Sequence, residues 1–405
     1  MHVLILTPHF YPENFKCNDI AFELKKRGYE VSVMTAIPDY PQGSFFKGYG
    51  IFKKRMEIIE GVKIHRSLII PRGNGSALRL ALNYLSYTFF ASIKAFWFGL
   101  RKKYDTIVVH EPSPVLVGVP AVIIKKLQKI PIHFWVLDLW PESLSAAGGI
   151  KNEQILSLFE NITKWIYCNC KTILIGSKGY KESIVKKKAE FKYKIKYFPN
   201  WVEACLITPS KKEVPKLPQG FNILIAGNMG EAQDLPHILN AFLMLKGKAI
   251  NLNLVGDGRK IEYVKRFIIE HQLQNQVFCY GRYPLAVMPS FFEQADLLFM
   301  ALKDEPIFSL TVPSRIQAYM SAGKPIVAMI NGEGAQLIKE ADCGWSVPAE
   351  DYKSLAKLLT DLANTDKNIL IQKGANGRKF CEMHFDFNKC IDNLESYITA
   401  QKDSH

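Results

Sequence analysis

Residues 3–35 read VLILTPHFYPENFKCNDIAFELKKRGYEVSVMT, and their order decides the fold. VLILT is an apolar run closed by one threonine, the pattern of a strand buried on both faces of a parallel sheet. A loop with Pro8 and Pro12 follows. DIAFELKKRGYE (19–30) then has the apolar spacing of a helix that Gly28 closes, and VSVMT (31–35) returns as a strand. Strand, crossover helix and second strand make one parallel βαβ unit.

Outward from that unit the pattern repeats. TIVVH (106–110), IHFWVL (132–137) and TILIG (172–176) are further strands separated by helical stretches. Residues 198–220, FPNWVEACLITPSKKEVPKLPQG, carry four prolines and no apolar period, which reads as a linker. A second series follows with NILIAG (222–227), NLNLVG (251–256), VFCYG (277–281), ADLLFM (296–301) and KPIVAMI (324–330), and the chain is helical from about Tyr352. A length of 405 residues exceeds what one core usually serves. The expected fold is α/β with two Rossmann-like, parallel-sheet domains. They span 1–200 and 221–379, joined by a linker at 201–220, with a helix at about 380–405 packing back on the first. Ligands of such sheets sit beyond the carboxyl ends of the strands, so the site is expected in a cleft that both sheets face.

The net charge of +14 and a pI near 9.2 suit nucleic acid, an anionic membrane or phosphorylated substrates. The basic residues are scattered and no recognition module is present, so nucleic acid is the poorest of these partners. Eight cysteines without a CxxC spacing read as free thiols in a reducing compartment. The first apolar run stops at Pro8 and lacks a charged leader, so it reads as a strand and the expected location is cytoplasmic. Residues 78–100, LRLALNYLSYTFFASIKAFWFGL, approach the length of a membrane span, but Arg79, Asn83 and Lys94 interrupt them. Two readings stand: a helix buried against a sheet, or an interfacial helix with aromatic and cationic anchors on the membrane's inner face.

Neither half holds GxGxxG or GxxxxGK[ST], which disfavours nicotinamide dehydrogenases and P-loop NTPases. No Asp-x-Asp pair is present to hold Mg²⁺ on a diphosphate, so metal-independent anion binding is expected. SLTVPSRIQAYMSAGKPIVA (309–328) offers the alternative. With Thr311 or Val312 as cap and Pro313 as first helical residue, Arg315 stands in the first turn. There a cation opposes the helix dipole unless an anion lies between them. Backbone amides, dipole and guanidinium would then converge on a diphosphate.

Seven stretches carry a resemblance. YPENFKCNDIAFELKKRGYEVSVMTAIPDYPQG (11–43), VVHEPSPVLVGVPA (108–121) and FWVLDLWPESLSAAGGI (134–150) lie in the first half. FPNW (198–201), AGNMGEAQ (226–233), VGDG (255–258) and SLTVPSRIQAYMSAGKPIVAMINGEGA (309–335) follow. In this order they resemble the family 4 glycosyltransferases of the two-domain GT-B type, in the branch that builds bacterial capsule, O-antigen and exopolysaccharide.

The resemblance implies a retaining hexosyl- or N-acetylhexosaminyltransferase. Its donor would be a nucleotide-diphosphate sugar, with UDP expected, and its acceptor a polyprenyl-diphosphate-linked saccharide. It places Arg315 on the donor phosphates, with Ser309, Leu310, Thr311, Pro313 and Ser314 forming the amide-bearing loop beside it. Gly227, Asn228 and Gln233 match the loop after the second domain's first strand, and Arg282 lies where the base is seated. Glu13, Asn14, Lys16 and Asn18 occupy the loop after the first strand, where Phe15 and Lys16 replace a Gly-Gly pair of relatives. His110 would face the donor sugar. Asp138 and Glu142 follow the next strand, where apolar neighbours would raise both carboxyl pKa values towards general-base duty.

One departure stands out. Many relatives carry two glutamates with seven residues between them; here those positions are Leu310 and Ala318. Gln317 could replace one neutral hydrogen bond, about 100° around the helix. The rival readings are a nucleotide-sugar epimerase of the same architecture and a catalytically silent nucleotide-sugar-binding subunit.

Overall fold

The computed structural model describes residues 1–146, 150, 152–208 and 212–400. The tail of the FWVLDLWPESLSAAGGI stretch at 147–149, part of the linker at 209–211 and the end of the expected last helix at 401–405 lie outside the described residues. The chain divides into two units. One holds Met1–Pro199 with the segment from Cys390, and the other holds Asn200–Lys389.

The first unit carries eight strands: β1 (His2–Leu6), β2 (Glu30–Ala36), β3 (Met56–Ile59), β4 (Val62–Ser67), β5 (Thr106–Glu111), β6 (Ile132–Val136), β7 (Thr172–Ile175) and β8 (Ile195–Tyr197). Their order is β3-β4-β2-β1-β5-β6-β7-β8, and every pairing is parallel except the β3–β4 hairpin. Val3 to Leu6 have no exposed surface, as expected of a central parallel strand covered on both faces. Strand order changes direction between β1 and β5, so the loops that follow these two strands open side by side.

Two features differ from the sequence expectation. The first helix spans Lys16–Lys26, three residues earlier than its apolar spacing implied. Lys16 and Asn18 therefore lie in its first turn, not on the loop. Asn18 explains the early start: its amide nitrogen donates to the Glu13 carbonyl at 2.7 Å, and its side-chain oxygen accepts from the Tyr11 amide at 3.2 Å. The hairpin at 56–67 was not legible because β4 buries a charge. Arg66 is fully buried, paired with Glu57 and donating to the Tyr11 carbonyl at 2.8 Å.

The helix Ala77–Arg101 buries Asn83, Tyr87, Ala91 and Ala95 on one face. The other face leaves Leu78, Leu82, Leu85, Phe89, Ile93, Phe96, Trp97 and Leu100 in solvent, with Leu78 72% and Phe89 62% exposed. Among the described residues, no helix is long and apolar enough to cross a membrane. From Cys390 the chain is held to the first unit by Arg27, which binds Asp392 at 2.6 Å and Glu395 at 2.8 Å.

The second unit is a six-stranded parallel sheet of β9 (Phe221–Ala226), β10 (Ile250–Val255), β11 (Val277–Gly281), β12 (Leu297–Ala301), β13 (Ile326–Met329) and β14 (Gly344–Val347). Its order is β11-β10-β9-β12-β13-β14. Alternate residues of β9 feed separate cores: Ile223 and Ile225 pack in one, Leu224 and Ala226 in the other. The start of the expected linker is also packed. Val202 and Leu206 are buried in the second of these cores, and Ala204–Ile207 is a short helix. Here the change of direction falls between β9 and β12.

Candidate functional site

In the second unit the site grows from the carboxyl end of β9. Gly227 has φ +122°, and a Cβ there would lie 2.9 Å from Nη2 of Arg315. The φ favours glycine, since L side chains avoid it, and a Cβ would in addition displace the flexible end of Arg315. Arg315 Nη2 approaches the Asn228 carbonyl at 3.4 Å. The helix carrying Arg315 spans Ser314–Ala322, and no side chain caps its first amides. Its depth is set by Tyr319. The phenol accepts from the Ala226 amide at 2.9 Å and donates to the Phe299 carbonyl at 3.3 Å, tying the helix to β9 and β12. Uncapped amides, the positive helix end and a half-buried guanidinium thus meet at the sheet's switch point, an arrangement suited to a polyanion.

Several expectations change in detail. Pro313, with ψ 133°, is the cap itself and Ser314 the first helical residue. Its fixed φ of -64° is tolerated at the cap, where the missing N–H deprives no intrahelical acceptor. Ser309 and Leu310 end a short helix, Pro306–Leu310, and Thr311 donates its hydroxyl to the Ile307 carbonyl at 2.9 Å. The loop beside Arg315 is therefore shorter than the expected 309–314. Gln233 folds inward, its side-chain oxygen accepting from the Gly230 amide at 3.0 Å. Arg282 stands exposed after β11. Gln317 does not join Arg315: it is buried and donates to the Asn200 carbonyl at 3.0 Å, which removes it as a stand-in for a lost ribose contact.

In the first unit, the loop after β1 is a network of buried polar groups. Glu13 Oε1 accepts from the amides of Asp39 and Tyr40 at 3.0 and 2.7 Å, and Oε2 faces His9 Nδ1 at 3.1 Å. Arg72 Nη2 lies 2.9 Å from His9 Nε2, and its backbone amide donates to Asp39 Oδ2 at 2.9 Å. His9, Glu13 and Asp39 bring ligand-type atoms within 4.8 Å of one another. The Arg72 guanidinium is the cation at that cluster, and both ring nitrogens of His9 are engaged. Glu13, expected as a donor contact, has its carboxylate fully committed to this scaffold. Asn14 is exposed and Lys16 half-buried at the head of the helix.

His110 is the penultimate residue of β5 with 1% exposure, packed edge to face with Trp135 at 5.3 Å. Burial brings its pKa down to about 3, which favours the neutral ring at neutral pH. Asp138 is held by the hydroxyl of Ser143 and by the Trp140 indole at 3.2 Å, and burial raises its pKa. The same expectation fails for Glu142. Burial alone would raise it, but Lys187 at 2.9 Å and the Ser183 hydroxyl more than offset that, and its pKa is lowered. A carboxylate held as an anion in an ion pair is poorly suited to general-base duty.

Sequence reasoning overlooked Glu111, Arg72, Asp39 and Thr7. Glu111 is fully buried, and its Oε2 accepts from the Asp138 amide at 3.3 Å. Burial first, and the charge of Asp138 second, push its carboxyl pKa well up. Its signal was present, since it directly follows His110 at a strand's carboxyl end.

Residues 208–379 match the family model of glycosyl transferases group 1. The chain is 26% identical over 313 residues to the probable glycosyltransferase WbjE of Pseudomonas aeruginosa, covering 74% of this chain and 76% of that one. It is 21% identical over 318 residues to the putative colanic acid biosynthesis glycosyl transferase WcaI of Escherichia coli (strain K12), covering 74% and 75%. The solved structure of Anabaena Alr3699/HepE in complex with UDP shares the fold, with a TM-score of 0.70, 14% identity, and coverage of 98% and 99%.

Proposed function

We propose that this chain, which has the GT-B fold, is a glycosyltransferase of group 1 that moves a hexosyl or N-acetylhexosaminyl group from a UDP-sugar to a lipid-linked saccharide in cell-surface polysaccharide synthesis. The observation that carries the reading is Arg315 against Gly227 and Asn228, at the uncapped head of the helix Ser314–Ala322. The relative named for colanic acid biosynthesis supports a polysaccharide product, and the UDP bound by the Anabaena neighbour supports uridine.

In this reading the second unit binds the donor diphosphate through amides and Arg315, without a metal. Within the first unit, buried His110 and half-buried Asp138 are polar groups suited to bonding sugar hydroxyls. As the glycosidic bond to phosphate breaks, negative charge grows on the departing diphosphate, and the guanidinium and helix dipole stabilise it. The same diphosphate takes the proton from the attacking hydroxyl on one face of the sugar, so the anomeric configuration is retained. No carboxylate acts as a covalent nucleophile. Arg315→Ala should lower turnover by roughly 10²-fold, the scale of losing one oxyanion donor, with circular dichroism unchanged. Near-normal turnover across a panel of UDP-sugars with lipid acceptor would remove Arg315 from the reaction.

The acceptor reading draws support from the helix Ala77–Arg101. Its outward apolar face is flanked by Arg79, Arg101, Lys102 and Lys103, the make-up of a helix lying in an anionic lipid surface. Peripheral attachment at the membrane's inner face follows. The protein should float with vesicles rich in anionic lipid, less so as salt rises; no flotation at low salt would refute attachment.

A further inference from the structure

Thr7 directly follows β1 with no exposed surface, and its backbone is pinned on both sides. Its amide donates to the Met34 carbonyl at 3.1 Å, and its carbonyl accepts from the Tyr87 hydroxyl at 3.0 Å. The hydroxyl oxygen is therefore fixed in place. It lies 3.0 Å from the His9 carbonyl oxygen and 3.0 Å from His110 Nδ1. A carbonyl can only accept, so two oxygens at that distance need a hydrogen between them or their lone pairs repel. Thr7 has one hydrogen to give, and the His9 carbonyl takes it. The hydroxyl oxygen is left as an acceptor, which agrees with the His9 amide approaching it at 3.4 Å. His110 Nδ1 can then bond to it only as a donor.

We infer that Thr7 is a positioning residue that fixes His110 as the Nδ1-protonated tautomer, leaving Nε2 as a bare acceptor for a hydrogen-bond-donating ligand group. Among the described residues no hydrogen bond reaches Nε2. Trp135 packs its edge on the ring but spends its own N–H on the Phe198 carbonyl at 3.1 Å. The opposite assignment, with the Thr7 hydrogen on Nδ1, would leave the two oxygens in bare contact. The tautomer selects its ligand chemically. A lone pair at Nε2 attracts a hydroxyl and repels a phosphate oxygen, so His110 reads a sugar hydroxyl and not the diphosphate. Naming the ligand as sugar rests on the transferase reading; the tautomer does not.

The test uses the full chain labelled with ¹⁵N-histidine, ligand-free, read by long-range ¹H–¹⁵N correlation, with His110→Gln assigning the signal. The wild-type ring should show a protonated Nδ1 and a bare Nε2. Thr7→Val, which keeps the shape and removes the hydroxyl, should lose that pattern, and Thr7→Ser should restore it. An Nε2-protonated ring in the wild type overturns the inference, as does an unchanged pattern in folded Thr7→Val. If Thr7→Val does not fold, the wild-type and Thr7→Ser spectra decide alone. A bare Nε2 in a protein that transfers no sugar from any UDP-sugar would instead sink the transferase reading and leave the tautomer standing.

Discussion

The loops at the two switch points solve different problems with different materials. After β1 and β5, the first unit gathers Thr7, His9, Glu13, Asp39, Arg72, His110 and Glu111, a largely buried set in which most members hold one another. After β9, the second unit uses glycine, a backbone carbonyl, an uncapped helix and one arginine. The first is a lattice of side chains that must be correct together, because a half-satisfied buried network is costly. The second is mostly main chain, whose polar groups are supplied without depending on many residue identities. Damage to the first should therefore register as lost stability, and damage to the second as lost turnover in a sound fold.

The largest effect is expected at Glu13. Glu13→Ala strands two amides and a histidine in a buried site, at a cost of about 3 kcal/mol to the first unit. A urea midpoint equal to wild type would break the comparison and return Glu13 to ligand duty. Next comes pH. Burial holds the pKa of His65 at about 4 and those of His110 and His133 at about 3, against an ordinary 6.5. The unfolded chain thus takes up these protons first. The stability the neutral rings contribute is complete above about pH 6.5 and drains away as pH falls towards their folded-state values. At pH 5 each fully buried ring should account for on the order of 2 kcal/mol, so the first unit's urea midpoint should drop between pH 7.5 and 5. A flat profile would show those rings to be solvated. The smallest effect belongs to Gly227→Ala, which must adopt φ +122° and push Arg315 aside. About a tenfold fall in turnover, ~1.4 kcal/mol, is expected, together with about 1 kcal/mol lost from the second unit's stability through the strained φ. A drop confined to stability would mean that the glycine serves folding only.

The same contrast explains what could be read in advance. Strands such as VLILT and NILIA announce themselves as apolar runs because both faces are covered, and Gly28 marks a helix end by itself. Arg315 was legible because a cation at a helix head contradicts the dipole, and a contradiction is informative. The first unit's network was not, since the partners of Glu13 come from residues 9, 39 and 40 and those of Asp39 from 72 and 83. Each looks like an ordinary polar loop residue until tertiary contact removes water from it. Glu142 failed in the same way: its tryptophan neighbour was visible along the chain, but Lys187, which sets its charge, is 45 residues away. Gln317 points to the Asn200 carbonyl, a contact no helical spacing could disclose.

The phenol of Tyr319, gripping one strand by its amide and another by its carbonyl, separates two duties within a single helix. Because that bolt fixes the head of the helix, residues 310 and 318 need take no part in aiming the guanidinium. Leucine and alanine can therefore stand there while the head of the helix keeps its place against β9 and β12.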